Sequence, residues 1–203
     1  MQTHLRAGVA VYNEGHHHAA HDAWEERWLD LDAGDDERLL HGLIQFTAAV
    51  YHATRGNDEG ATGLAASARE YLADLPDDLH GVDLAGVRES LRALETDPLA
   101  VGENPPPLRY RGTVLRADDL DVEEVGLAAE IVADEEGFEA GLVADATRYA
   151  REDLESGTTN PFVPLLFDVV GGDDQRRRVT LQRLRAHVER RRSREEDVSG
   201  LFD

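Results

Sequence analysis

The sequence predicts an all-α protein: a multi-helix bundle of antiparallel helix pairs with a helical C-terminal extension. Apolar residues recur at helical spacing along most of the 203 residues. Glycine and proline divide the chain into segments of helix length. One stretch, residues 109–116, alternates apolar and polar residues as a short strand or hairpin does. The first two observations favour helices nearly everywhere, and the third marks the one predicted exception.

Five helices are predicted before the proline-rich stretch at residues 104–107. Turns at Gly15 and Gly56 end the first and third helices, and Pro76 stops the fourth. Asp83 suits the N-cap of the fifth, because its carboxylate can accept backbone N–H groups. The predicted helices cover about 3–12, 16–31, 35–55, 58–75 and 83–97. Together they form a predicted bundle over residues 1–98.

Residues 99–203 are predicted to form the extension, packed on the bundle in a single compact unit. Its helices cover about 121–137 and 138–155, followed by a highly charged terminal helix over 173–197. The apolar stretch 160–172 contains two prolines, so it is predicted to pack along the core and not to be helical throughout. Leu201 and Phe202 form a candidate docking tail.

Composition narrows the class of protein. Acidic residues number 42 against 21 basic ones, all of them arginine, and the formal net charge is −21. At 1 M salt the Debye length is about 3 Å, so repulsion among these charges is screened. The acidic surface therefore predicts a halophilic protein. The alternative is an acidic protein that docks a basic partner.

The chain contains no cysteine, so disulfides, thiolate metal sites and thiol nucleophiles are excluded. We expect a cytoplasmic protein with no membrane span.

The segment EGHHHAAHDAWEERW, residues 14–28, is the richest in chemically active side chains. At 100° per residue, one helix face carries two imidazoles, two indoles and one carboxylate. These residues are His17, His21, Trp24, Glu25 and Trp28. Asp22 falls on the opposite, outward side with other charged residues. The pattern predicts a polar and aromatic face that looks into the protein.

The third predicted helix is apolar over most of its surface and has one polar stripe. His41, Gln45 and His52 follow that stripe at helical spacing. Helices joined by a short connection pack antiparallel, and buried polar groups need partners. The two polar faces are therefore predicted to meet in one pocket. Its predicted members are His21, Glu25, Trp28, Gln45 and His52.

The same residues resemble a family of bacterial and archaeal proteins called domain of unknown function 309. The family shows a Phe-Asn-x-Gly turn, a His-Glu-x-x-Glu-x-x-Trp helix, a Gly-Leu-Ile-Gln helix ending in His, and a Gly-Asn-x-x-Gly-Ala turn. The matches over about 8–75 are Asn13, Gly15, His21, Glu25, Trp28, Gly42, Leu43, Ile44, Gln45, His52, Gly56, Asn57, Gly60 and Ala61. Tyr12 and Asp22 replace the usual Phe and Glu. The resemblance implies an all-helical fold and supplies no activity.

Several functions fit the predicted pocket. A buried hydrogen-bond network would make the helix pair a binding or interaction module for an unknown small-molecule ligand or partner. Alternatively, His21, Glu25 and His52 supply the two-His-one-carboxylate set that suits Zn, Fe or Mn. In that case the protein is a metal-dependent hydrolase or oxidoreductase, with Glu25 and His21 as candidate catalytic residues. Metal-free acid–base chemistry is a further alternative.

The terminal helix is the other charged feature. Nine arginines against one glutamate lie between residues 176 and 194. Such a helix could bind the phosphates of a nucleic acid, or lie on the acidic surface of the same chain or of a second subunit. The acidic remainder of the chain repels a polyanion, so nucleic-acid binding is the least favoured alternative. A homodimer is the default oligomer.

Overall fold

The computed structural model describes residues 1–199, and within them the chain forms ten α-helices. The helices are α1 (Gln2–Asn13), α2 (Asp22–Leu29), α3 (Asp35–Thr54), α4 (Asp58–Leu72), α5 (Leu84–Thr96), α6 (Pro98–Glu103), α7 (Val122–Glu135), α8 (Ala140–Ser156), α9 (Phe162–Gly171) and α10 (Asp174–Ser199). The predicted helical fold class is confirmed. The candidate tail at Leu201 and Phe202 lies outside the described residues.

A small antiparallel sheet of two-residue strands accompanies the helices. Its strands, in the order β1-β2-β3-β4, are β1 (Asp78–Leu79), β2 (Val82–Asp83), β3 (Arg109–Tyr110) and β4 (Thr113–Val114). Two-residue turns join β1 to β2 and β3 to β4. Both turns have positive φ at each position, at His80-Gly81 and Arg111-Gly112, as a tight hairpin twist requires. The second hairpin confirms the extended piece predicted at 109–116.

The described chain contains two compact units, residues 1–119 and a second unit that begins at Leu120. The segment 99–119, which the sequence assigned to the extension, belongs to the first unit. Packing of the extension on the bundle stays a prediction. None of the helices in the described range is long and apolar enough to cross a membrane.

In the first unit, α3 is the central element and packs against α2, α4 and α6. Its buried face carries Leu39, Leu43, Phe46 and Val50. At Gly102, a Cβ atom would come within 2.4 Å of the Ala53 carbonyl oxygen, so glycine is needed for α6 to lie against the end of α3.

The second unit consists of α7 to α10. The apolar stretch 160–172 is helical as α9, which corrects the sequence prediction. Its prolines fit because Pro161 is the N-cap and Pro164 lies in the first turn, where backbone N–H groups have no helical partner.

Several arginines of α10 pair with acidic residues of the same unit. Arg177 is buried and lies 3.3 Å from Glu136, while Arg191 lies 2.9 Å from Asp153. These ion pairs match the alternative in which the arginine-rich helix lies on the chain's own acidic surface. Nucleic-acid binding and a homodimer stay predictions, as does adaptation to concentrated salt.

Candidate functional site

Residues 16–21 of the predicted second helix are not α-helical, and the candidate site lies where α2 begins. A short 3-10 helix, Ala19–His21, precedes α2, so His21 closes one helix and Asp22 opens the next. Trp24 fixes the rotation of α2, because it is fully buried against α1 at Gly8. A Cβ atom on Gly8 would come within 2.4 Å of the Trp24 indole. With Trp24 inside, Asp22 and Glu25 are exposed.

His21, Asp22 and Glu25 form a cluster that can hold a metal ion. One ligand atom from each side chain can be chosen so that all three lie within 4.8 Å of one another. His21 Nε2 is 2.8 Å from Asp22 Oδ1, with 24% of the His21 side chain and 43% of the Asp22 side chain exposed. Among the described residues this is the one such set of three. We call it the His21 cluster.

The electrostatics of the His21 cluster favour a positive charge on the imidazole. The hydrogen bond to Asp22 raises the pKa of His21, and the charges of Asp22 and Glu25 act in the same direction. Partial burial opposes the increase. A hydrogen bond with the backbone of His18 also raises the pKa and holds the ring. Because Nε2 faces Asp22, Nδ1 is the nitrogen left for that backbone contact.

A second cluster surrounds His41 of α3. It contains two of the predicted pocket residues, Trp28 and Gln45. The His41 ring is sandwiched between the rings of Trp28 and Tyr71, at centroid distances of 4.6 and 3.9 Å. Trp28 Nε1 donates a hydrogen bond to Glu37 Oε1 at 2.8 Å. We call Trp28, Glu37, His41, Gln45 and Tyr71 the His41 cluster.

Two polar contacts surround the His41 ring. The Gln45 amide nitrogen lies 3.0 Å from His41 Nε2. An amide nitrogen only donates, so His41 Nε2 is the acceptor in this contact. Nδ1 faces Glu37 Oε1 at 3.5 Å. Gln45 Oε1 is buried without a hydrogen-bond partner in the described structure, while both nitrogens of His41 are occupied.

His52 lies apart from both clusters. It occupies the last turn of α3, where Asn57 Nδ2 donates a hydrogen bond to His52 Nδ1 at 2.8 Å. Asn57 also caps α4 by accepting from the Gly60 backbone at 3.0 Å. His52 therefore helps to hold the turn between α3 and α4.

The predicted pocket residues are divided among three places in the structure. Within the described chain, no hydrogen bond, ion pair or ring contact joins His21 or Glu25 to Gln45 or His52. The predicted ligand set of His21, Glu25 and His52 stays a prediction, and the three residues whose ligand atoms lie within 4.8 Å of one another are His21, Asp22 and Glu25. Glu25 points to solvent and not to an interior.

Comparison with known proteins identifies the part of the chain that contains these clusters. Residues 5–64 match the family described as Domain of unknown function (DUF309). An uncharacterised protein of Aquifex aeolicus (strain VF5) is 27% identical over 107 residues. That match covers 52% of this chain and 31% of the relative, so the chain spans about a third of the relative's length.

The DUF309 segment contains every residue of the His21 cluster and all but Tyr71 of the His41 cluster. Sequence reasoning left Asp22, Glu37 and Tyr71 out of the candidate site. A helical projection at 100° per residue placed Asp22 outward, away from His21. Asp22 is exposed as projected, but a projection does not contain the side-chain rotamers, which bring Asp22 Oδ1 to 2.8 Å from His21 Nε2. Glu37, four residues before His41, carried a detectable i,i+4 signal.

Proposed function

We propose that the DUF309 segment of this protein is a metal-binding module. The His21 cluster holds one divalent transition metal ion through His21 Nε2 and a carboxylate oxygen each from Asp22 and Glu25. The observation that carries the proposal is the convergence of these three ligand atoms to within 4.8 Å.

The spacing of the cluster supports direct coordination. Ligand atoms about 2.0–2.2 Å from one ion lie roughly 3–3.5 Å apart. His21 Nε2 and Asp22 Oδ1, at 2.8 Å, are already close to that separation. An ion would replace the proton that these two atoms share. The His18 backbone contact holds the imidazole from its other side, as backbone carbonyls commonly do for histidine ligands.

The ligand types and exposure indicate which ions and reactions fit. One imidazole and two carboxylates suit Zn²⁺, Mn²⁺ or Fe²⁺ better than soft Cu⁺. Three protein ligands at an exposed site leave coordination positions for water and substrate. Metal-assisted hydrolysis, or redox chemistry with iron or manganese, is therefore the reaction class that this module would support.

Calorimetric titration with Mn²⁺ and with Zn²⁺ tests the proposal. We expect one ion per chain, with affinity lowered at least about 10-fold in Asp22→Asn and about 100-fold in His21→Ala. Affinity should rise between pH 5 and 8, because the ion competes with the proton on His21.

The chain provides a matched control in another histidine–aspartate pair. His80 Nε2 lies 2.7 Å from Asp36 Oδ1 at the surface, and this pair belongs to no set of three ligands among the described residues. Asp36→Asn should therefore leave metal affinity unchanged. Absence of stoichiometric binding, or equal losses in Asp22→Asn and Asp36→Asn, would contradict the proposal.

A further inference from the structure

The first unit contains a large groove that includes no residue of the His21 cluster or the His41 cluster. It has a volume of about 590 Å³ and lies between α5, α6 and the proline-rich segment 104–109. Its floor is apolar and well buried, formed by Phe46, Val87, Val101 and Leu108. Pockets of about 300–1,000 Å³ with apolar walls and a few polar groups are typical of small-molecule sites.

The walls of the groove are held in place without a ligand. Asp97 caps α6 by accepting from the Ala100 backbone at 3.1 Å. On the opposite wall, the Tyr12 hydroxyl donates to the Pro106 carbonyl at 2.8 Å, and the Asn13 side chain accepts from the Leu108 backbone at 2.8 Å. Such bonds make the groove preorganised, so a ligand does not have to meet the cost of ordering it.

The charged groups around the groove are mainly acidic. Three carboxylates line it, those of Asp83, Glu89 and Asp97, against the single cation Arg109. Asp83 and Asp97 also cap helices. Glu89 is exposed and makes no hydrogen bond or ion pair within the described chain. The local charge therefore favours a cation over an anion.

We infer that this groove binds a small amphipathic cation, with an apolar body on the Phe46, Val87 and Leu108 floor and a protonated amine near Glu89. The inference rests on the apolar volume and on charge complementarity. It is independent of metal binding at the His21 cluster, because the two sites share no residue.

Two phenylalkyl probes of equal length test the site and its charge preference. Binding of 4-phenylbutylamine and 4-phenylbutyrate to the full chain is followed by backbone amide shifts in NMR spectra. We expect the amine to shift the Val87, Ser90 and Val101 amides and to bind at least about 10-fold more tightly than the carboxylate. The preference should shrink at 1 M salt.

Three substitutions test whether the amine binds in the groove and not elsewhere on the protein. Ala93→Trp fills the groove from α5 and should reduce affinity for the amine at least about 10-fold, since the probe loses its apolar volume. Ala85→Trp places the same side chain on the same helix outside the lining and should leave affinity unchanged. Glu89→Gln should weaken binding of the amine about five-fold.

The tryptophan variants need a folding control, and the binding results decide both the ligand class and the site. Circular dichroism confirms that the tryptophan variants are folded, and Ala100→Trp replaces Ala93→Trp if the latter is not. Equal affinity for amine and carboxylate would overturn the ligand class. Failure of both probes to bind, or equal loss in Ala93→Trp and Ala85→Trp, would overturn the site.

Discussion

The His21 cluster and the His41 cluster each contain a histidine and a glutamate but differ in how exposed these groups are to a ligand. His41 is stacked between two rings, and each of its nitrogens faces a partner. His21 shares one proton with Asp22, and Glu25 stands beside it exposed. The difference shows that exposure distinguishes a candidate ligand site from an enclosed network, because the ring nitrogens have partners in both clusters.

The position of each cluster in the fold explains the difference. α3 packs against α2 and α4, so the polar groups on its stripe are enclosed by neighbouring side chains and must pair. The His21 cluster lies at the junction of a 3-10 helix and α2, where Asp22 and Glu25 face solvent. Enclosure favours stability, while the open junction favours binding.

The largest effect expected from this comparison is on stability. His41→Ala removes ring packing and leaves the Gln45 amide nitrogen without its partner, so the free energy of unfolding should fall by about 2 kcal/mol. His21→Ala should cost about 0.5 kcal/mol, since the residue is partly exposed. Urea denaturation of both variants in EDTA measures the difference. Equal losses would remove the distinction between the clusters.

Substitutions of the glutamates should give a smaller difference in stability between the two clusters. Glu37→Gln keeps an acceptor for Trp28 but removes the charge facing His41, and should lower the free energy of unfolding by about 1 kcal/mol. Glu25→Gln should change it by less than about 0.5 kcal/mol and lower metal affinity instead. The same denaturation and titration measurements report both quantities. A Glu25→Gln variant with full metal affinity would remove Glu25 from the ligand set.

The smallest effect expected is a pH dependence of stability in the metal-free protein. Since Asp22 raises the pKa of His21, the pair stabilises the fold fully below the unfolded pKa, about 6.5, and this contribution is lost as pH rises through the folded pKa. Asp22→Asn should lower the His21 pKa. The stability difference from wild type should shrink by about 0.5 kcal/mol or less between pH 5.5 and 8.

Nuclear magnetic resonance titration of the His21 ring in EDTA measures that pKa directly. The His80–Asp36 pair serves as the internal reference, because its resonances should not move in Asp22→Asn. An unchanged His21 pKa in the variant would show that the hydrogen bond to Asp22 is absent in solution.

Sequence reasoning located most helices because their ends carry glycine, proline or capping residues. Asp83 caps α5 as predicted, and Asp121 caps α7, each accepting a backbone N–H three residues later. The β1–β2 hairpin was missed because residues 78–83 contain only two apolar residues, whereas 109–116 alternate apolar and polar residues over a longer stretch. Pro164 misled the prediction for α9, since a first-turn proline is compatible with a helix.

For the candidate site, the residue types could be predicted and the pairing could not. His21, Glu25, Gln45 and His52 were identified as chemically active, but Gln45 lies in the His41 cluster and His52 lies apart from both clusters. The contact between the adjacent side chains of His21 and Asp22 depends on their rotamers, which a helical projection does not contain. Partners on another helix, such as Tyr71 against His41, depend on packing that one helix projection does not contain.

The Asn13 side chain has a consequence for how the protein can be divided. Its amide nitrogen donates to the Leu108 and Leu115 carbonyls at 2.8 Å each, so a residue near the start of the chain is secured by partners about a hundred residues later. A polypeptide cut after residue 64 would retain the matched family segment but lose these tethers and the Pro106 carbonyl that binds Tyr12. The family match at residues 5–64 is therefore shorter than the compact unit that these hydrogen bonds hold together. Fragments for expression should extend to residue 119.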